Sequence, residues 1–116
     1  MVKDIPTSSA QFRGGVSIYL DRRHYGMKRI RATIPFGRLQ IDSDRIELWV
    51  IKGTALPSDL PLPLIMPKGS FCFFPERGPL AIGIGFRTQS TVHYFWTYRP
   101  SRIMGDLREF GYTECP

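Results

Sequence analysis

The chain has 116 residues, which suffices for one ordinary domain and leaves no room for a second one. Hydrophobic residues make up 42% of it and charged residues 22%, a composition typical of globular domains that excludes a largely disordered chain. The net charge of +6, mostly from arginine, favours an anionic partner such as an acidic protein surface, anionic lipid or nucleic acid. We expect a single domain at residues 11–112, with tails at 1–10 and 113–116.

Period-two alternation of apolar and polar residues dominates the first half of the chain and predicts a four-strand meander. The predicted strands cover residues 16–20, 30–36, 39–41 and 46–51. We expect a tight bend at Pro35 and Gly37 between the second and third strands, because proline cannot donate a hydrogen bond within a sheet.

A proline-rich connection is predicted next, over residues 53–69. It carries more apolar residues than a long connection usually does, namely Leu60, Leu62, Leu64, Ile65 and Met66. Two interpretations remain open. The segment either lies across an open end of the fold and covers the core, or forms an exposed tip that docks a protein partner or a bilayer surface.

The second half predicts three more strands, at residues 71–74, 80–86 and 91–98, followed by one helix. From residue 100 to 111 the apolar period becomes helical, with Ile103, Leu107 and Phe110 on one face. A proline at residue 100 suits the start of the helix and a glycine at residue 111 its left-handed end. The sequence therefore predicts a mainly β fold, a seven-strand barrel or sandwich of four plus three strands, capped by one C-terminal α-helix.

Two segments add a family resemblance to this element order. They are Ala32-Thr33-Ile34-Pro35-Phe36-Gly37-Arg38-Leu39, and Tyr94-Phe95-Trp96-Thr97 running into the helix and Gly111-Tyr112. Over roughly residues 12–112 the chain resembles the pleckstrin-homology superfold, particularly the small bacterial PH-like and GRAM-like domains. The resemblance implies a four-strand sheet and a three-strand sheet closed by the helix. It also implies a ligand among phosphoinositides, other anionic lipids and proteins.

Five of the sixteen cationic residues lie within residues 21–31, around the predicted first hairpin. They are Arg22, Arg23, Lys28, Arg29 and Arg31. In phosphoinositide-binding PH domains this hairpin carries a basic residue on one side and a basic-x-Arg pattern on the other, to which Arg29-Ile30-Arg31 is similar. Clustered guanidinium groups can hold phosphate by charge-assisted hydrogen bonds, so we weigh an anion site here against a basic loop that only keeps the protein soluble.

Cysteine and histidine positions give no sign of catalysis or of a bound metal. Cys72 lies in an apolar run and Cys115 is next to the last residue, so we expect neither a metal motif nor a disulfide between them. His24 lies in the basic loop and His93 in a strand, and neither has a sequence neighbour that marks a nucleophile and base pair. We expect no cofactor and no enzymatic activity.

These observations predict a non-catalytic binding or scaffold module. A protein partner ranks first, an anionic lipid headgroup or phosphate at the basic hairpin second, and nucleic acid third, since no nucleic-acid recognition motif is present. A homodimer through an exposed edge strand or through the apolar residues of the 53–69 connection stays open. The N-terminal residues lack the apolar stretch of a signal peptide, which predicts a cytoplasmic protein, with a peripheral position at the inner membrane surface as the alternative.

Overall fold

Seven antiparallel strands form one sheet, in the order β4-β3-β2-β1-β7-β6-β5. The computed structural model describes residues 9–19, 29–51, 63–78 and 82–116. The elements are β1 Ser9–Tyr19, β2 Arg29–Asp42, β3 Arg45–Val50, β4 Leu64–Pro67, β5 Cys72–Arg77, β6 Ile82–Arg87, β7 Val92–Trp96 and α1 Pro100–Glu109. The predicted mainly β fold with one C-terminal helix is confirmed. Because β4 and β5 are the two edges of the sheet, it is not closed into a barrel and is sandwich-like.

Strand β1 joins the two halves of the sheet. It pairs with β2 from Ser9 to Tyr19 on one side, and with β7 only over residues 15–17 on the other. Four strands therefore lie on one side of the β1–β7 junction and three on the other, which matches the predicted count, although the fourth strand is β4 and not a separate strand at residues 39–41. A single buried cluster takes its members from both halves and from the helix: Val16, Ile18, Leu39, Ile41, Ile46, Leu48, Met66, Phe71, Phe73, Ile84, Phe86, Phe95, Ile103, Met104, Leu107 and Tyr112.

The strand boundaries differ from the prediction in the first half of the chain. The predicted strands 30–36 and 39–41 are one continuous strand, β2, and the expected bend is a bulge at residues 33–36. Gly14 of β1 pairs with Gly37 of β2, but Val16, only two residues later, pairs with Ala32. Residues 33–36 of β2 therefore bulge out of the ladder while the strand continues on both sides of them. Strand β1 begins at Ser9, inside the segment expected to be a tail.

The predicted connection at residues 53–69 contains a strand that the sequence did not reveal. Residues 64–67 form β4, an edge strand paired with β3, and Ile46 pairs with Met66. Edge strands tolerate proline because the strand has only one neighbour to bond, which explains why Pro67 can end it.

Helix α1 begins at Pro100 and covers the core with Ile103 and Leu107, as predicted, while Phe110 is half-buried against the same cluster. Gly111 adopts a left-handed φ of 85°, and the Tyr112 amide donates to the Leu107 carbonyl at 2.9 Å. This is the Schellman ending that a glycine after the last turn predicts. Among the described residues, no helix has both the length and the apolar character needed to cross a membrane.

The C-terminal segment returns to β5, and there the expectation for the cysteines is wrong. Cys72 and Cys115 form a disulfide, with their Cα atoms 5.0 Å apart. The Phe73 amide donates to the Thr113 carbonyl at 3.0 Å, and the Cys115 amide donates to the Phe73 carbonyl at 2.8 Å. These two bonds hold the chain end beside β5 at a distance that a disulfide can bridge.

Candidate functional site

A cleft of about 390 Å³ lies where β7 leaves β1 and the chain turns into α1. Residues 11–14 of β1 form one wall, and Ile34 of the β2 bulge lies beside them. Residues 97–99 and Arg102 form the opposite wall. The cleft therefore lies between a sheet edge and the start of a helix, two elements that the core holds in place.

The cleft exists because β7 is short. Its last residue, Trp96, lies opposite Gly15, after which the Thr97 hydroxyl accepts a hydrogen bond from the Arg99 amide at 3.1 Å and turns the chain towards α1. A Cβ atom at Gly14 would lie 2.2 Å from the Trp96 carbonyl oxygen, so only glycine permits the two strands to approach this closely.

Three exposed arginines surround the cleft: Arg13 from β1, Arg99 from the residue before α1, and Arg102 from its first turn. We call this site the arginine cleft. Across the described parts of the chain, no carboxylate forms a salt bridge with any of the three, and the first turn of α1 has no acidic residue. The Arg13 guanidinium donates one long hydrogen bond, 3.4 Å, to the Pro35 carbonyl. These unneutralised charges in a recess favour anions.

Apolar side chains complete the lining. Phe12 is half-buried, Ile34 is 39% exposed, and Tyr98 is 80% exposed. An aromatic ring as exposed as that of Tyr98 contributes little to the core. Apolar surface beside a few converging polar groups is the usual composition of a ligand site. The arginine cleft can therefore accept a ligand that carries both negative charge and apolar groups.

Two of the other arginines in the described structure have carboxylate partners. Arg45 contacts Glu47 at 2.9 Å, and Arg108 contacts Glu114 at 3.0 Å. Hydrogen bonding to these carboxylates raises the pKa of each guanidinium above its ordinary value. The Arg38 guanidinium lies 4.7 Å from the centre of the Trp49 ring. Among the described residues, the three arginines of the cleft differ from Arg45 and Arg108 in having no acidic partner, and they differ from Arg38 in lining one recess.

The predicted basic hairpin is only partly visible. Arg22, Arg23 and Lys28 lie outside the described residues. Arg29 and Arg31 lie in β2, opposite Tyr19 and Ser17 of β1. The anion site at the hairpin stays a prediction.

The predicted apolar partner segment is divided in the same way. Leu60 and Leu62 lie outside the described residues. In β4, Met66 is 3% exposed and belongs to the core, Leu64 is half-buried against it, and Ile65 is 50% exposed. The described part of the segment thus covers the core through Met66 and Leu64, and partner docking stays a prediction.

His93 is buried, and its Nε2 atom lies 2.9 Å from the Thr91 hydroxyl in the turn between β6 and β7. Burial lowers the pKa of His93 to about 4, so the imidazole is neutral at pH 7. His24 lies outside the described residues. Within the part of the chain that the structure describes, no cluster of three His, Cys, Asp or Glu side chains could hold a metal ion. His93 is best explained as a structural residue.

The arginine cleft cannot be recognised from the sequence directly, because Arg13 and Arg99 lie near opposite ends of the chain. The one local signal was the pair Arg99 and Arg102 around the proline that begins α1. Comparisons with known proteins add no assignment, since no family model, no curated protein and no solved structure matches the chain.

Proposed function

We propose that the protein is a non-catalytic binding module that recognises an acidic segment of a protein partner at the arginine cleft. One observation carries the proposal. Arg13, Arg99 and Arg102 converge on one recess without a carboxylate partner among the described residues. Guanidinium groups bind carboxylates by paired, charge-assisted hydrogen bonds, so an acidic segment would supply the missing partners.

The lining of the cleft favours a protein segment over the other anions. Phe12, Ile34 and Tyr98 offer apolar contacts beside the arginines, and a peptide supplies apolar and acidic side chains together. A nucleic-acid strand would require a longer basic track that follows its backbone. An anionic lipid headgroup at the basic hairpin is the second candidate from the sequence, and the PH-like resemblance, which depends on element order and two short segments, is compatible with either.

The compartment is also a proposal. The sequence predicts a cytoplasmic protein. The Cys72–Cys115 disulfide favours an oxidising compartment instead, because cytoplasmic reductants keep most thiols reduced. Alkylation of free thiols in freshly lysed cells, followed by a gel-shift assay, separates the two. Protein with both cysteines alkylated supports the cytoplasm, and unmodified protein supports the oxidising compartment.

Fluorescence anisotropy tests the proposed function. The probe is a fluorescein-labelled ten-residue peptide of alternating Glu and Val, and its Gln–Val counterpart is the neutral control. We expect saturable binding of the Glu–Val peptide. The Arg99→Gln/Arg102→Gln variant should bind it about 100-fold more weakly, since each charge-assisted bond contributes about 1.5 kcal/mol and each 1.4 kcal/mol is tenfold.

A matched variant separates the site from general charge. Arg45→Gln/Arg108→Gln removes the same two charges at arginines that already have carboxylate partners, and we expect less than about a threefold change in affinity. Equal weakening in both variants would contradict the site. Failure of the Glu–Val peptide to bind, while anionic phosphatidylglycerol vesicles or a single-stranded oligonucleotide bind, would contradict the ligand class.

A further inference from the structure

Strand β1 has a stretch of backbone beside the arginine cleft that no other described strand uses. Its pairing with β2 runs over its full length, from Ser9 to Tyr19, but its pairing with β7 covers only residues 15–17. On the β7 side, residues 9–14 have no strand partner among the described residues. We call this stretch the β1 edge. Unpaired N–H and C=O groups on a strand edge are a template for another strand.

The β1 edge and the arginine cleft are the same place. Residues 11–14 form one wall of the cleft, and Arg99 and Arg102 form part of the opposite wall. A segment lying along the six residues of the β1 edge would be extended over about 20 Å, at 3.4 Å per residue. Such a segment would lie within reach of the arginines along its whole path through the cleft.

Strand geometry also places positive charge on both sides of this path. Side chains alternate along β1, so Arg13 lies on the opposite face of the sheet from Phe12, which packs against the core. Helix α1 buries Ile103 and Leu107 in that same core, so Arg99 and Arg102 approach the cleft from the core side. An added strand would present its alternate side chains to Arg13 on one face and to the α1 arginines on the other. The Glu side chains of an alternating Glu–Val peptide all lie on one face, so they would contact the α1 arginines while the Val side chains lie on the face of Arg13.

The two outer edges of the sheet lack this combination. The edge of β5 is engaged by the C-terminal segment at Phe73, through hydrogen bonds with Thr113 and Cys115, and Pro75, two residues further along the same edge, has no amide hydrogen. The edge of β4 lies beside Pro67, which has no amide hydrogen to donate, and no arginine belongs to that strand. In the described structure, the β1 edge is the one that places a run of open backbone beside three arginines without carboxylate partners.

We propose that the acidic segment binds by adding a strand to the β1 edge, with its carboxylates on the arginines of the cleft. This inference depends on the proposed function and specifies its binding mode. Backbone hydrogen bonds would provide much of the affinity, and the arginines would select acidic side chains. The partner is therefore an extended acidic segment, and not the folded acidic surface of a globular protein.

Backbone methylation of the Glu–Val peptide tests the binding mode without changing its charge. One peptide is N-methylated at the Glu residues and a second at the Val residues. Amides of alternate residues point to opposite edges of a strand, so only one of the two should lose the hydrogen bonds to β1. We expect one methylated peptide to bind at least tenfold more weakly and the other to stay within about threefold of the parent.

Hydrogen exchange by NMR gives the matching readout on the protein. Adding the unmethylated peptide should slow exchange at every second amide of residues 9–14, while the β4 amides serve as the control edge and should not change. Equal binding of both methylated peptides, with no slowed amide in residues 9–14, would overturn the added strand. If the Arg99→Gln/Arg102→Gln variant still bound the Glu–Val peptide more weakly than wild type, the proposed function would stand without the added strand. If the variant and wild type bound it equally, the proposed function itself would be contradicted.

Discussion

The two ends of helix α1 differ in the hydrogen bonds and ion pairs that they form with the rest of the described structure. At its C-terminal end, Lys68 donates to the Phe110 carbonyl, Arg108 pairs with Glu114, and the Tyr112 hydroxyl donates to the Asp42 carbonyl. At its N-terminal end, Arg99 supplies no capping side chain, and the first turn has no acidic residue. Within the described residues, the cations at the C-terminal end of the helix, Arg108 and Lys68, have partners, and the arginines at its N-terminal end have no carboxylate partner.

We interpret the C-terminal end as structural and the N-terminal end as the proposed binding end. Around the C-terminal end, a disulfide, backbone bonds to β5 and the stacking of Phe71 on Tyr112 hold the chain end in place. We call this region the C-terminal clamp, residues 108–115 with their contacts. Around the N-terminal end lies the arginine cleft. A ten-residue helix spans about 15 Å, so each end can be altered without direct contact with the other.

Loss of the disulfide should have the largest effect on stability. The bridge joins residues 43 positions apart, and removing a link of this length costs about 2–4 kcal/mol in the free energy of unfolding. We expect a Cys72→Ser/Cys115→Ser variant to lose this much in urea denaturation, while its affinity for the Glu–Val peptide stays within twofold of wild type. A tenfold loss of affinity would show that the two ends are coupled.

Acid should weaken the region around β5 and leave the charge of the arginine cleft intact. His93 pairs with Phe86, which pairs with Phe73 of the clamp. Its folded pKa of about 4 lies below the ordinary value of 6.5, so the unfolded chain binds more protons between these values. The contribution of the neutral His93 side chain to the free energy of unfolding is therefore complete above pH 6.5 and falls towards pH 4. Between pH 7 and pH 5 the protein should lose about 2 kcal/mol of stability from this group.

A His93→Gln variant isolates this contribution. Glutamine can keep a hydrogen bond to Thr91 and does not titrate, so its stability should change less with pH than that of wild type. Urea denaturation at pH 7 and pH 5 compares the two proteins. Identical pH dependence would exclude His93 as the source.

The Tyr112 hydroxyl should contribute least of the three. Burial, followed by the nearby carboxylates of Asp44 and Asp42, raises the pKa of Tyr112 to about 12, so the phenol remains a donor at all ordinary pH values. Tyr112→Phe removes the bond to the Asp42 carbonyl and keeps the ring against Phe71, which should cost about 1 kcal/mol. Urea denaturation measures this, and a change in peptide affinity would contradict the separation of the two ends.

Local patterns predicted most of the fold. Helix α1, its proline start and its glycine end follow from the change of apolar period, and six of the seven strands overlap a predicted one. The sequence did not reveal β4, because four residues in a proline-rich segment carry too little alternation. Residues 30–41 were divided at Pro35, because no local rule shows that a bulge can carry a strand past a proline.

The site could not be predicted in the same way, because it depends on contacts between distant residues. Arg13 lines the same cleft as Arg99 and Arg102 only because β7 ends opposite Gly15 and the chain turns there into α1. Likewise, Cys72 meets Cys115 only because residues 113–115 return to β5. Clustering along the sequence favours the basic hairpin, whereas the lack of carboxylate partners around Arg13, Arg99 and Arg102 follows only from the tertiary contacts of the described residues.

Amide chemical shifts measured during a titration with the Glu–Val peptide test the central claim most directly. We expect saturable shifts concentrated in residues 9–14 and 97–102 of the wild-type protein. The Gln–Val peptide should produce none, and the Arg99→Gln/Arg102→Gln variant should show them only at about 100-fold higher peptide concentration. Shifts concentrated instead in residues 21–31 would contradict the arginine cleft and place the anion site at the basic hairpin.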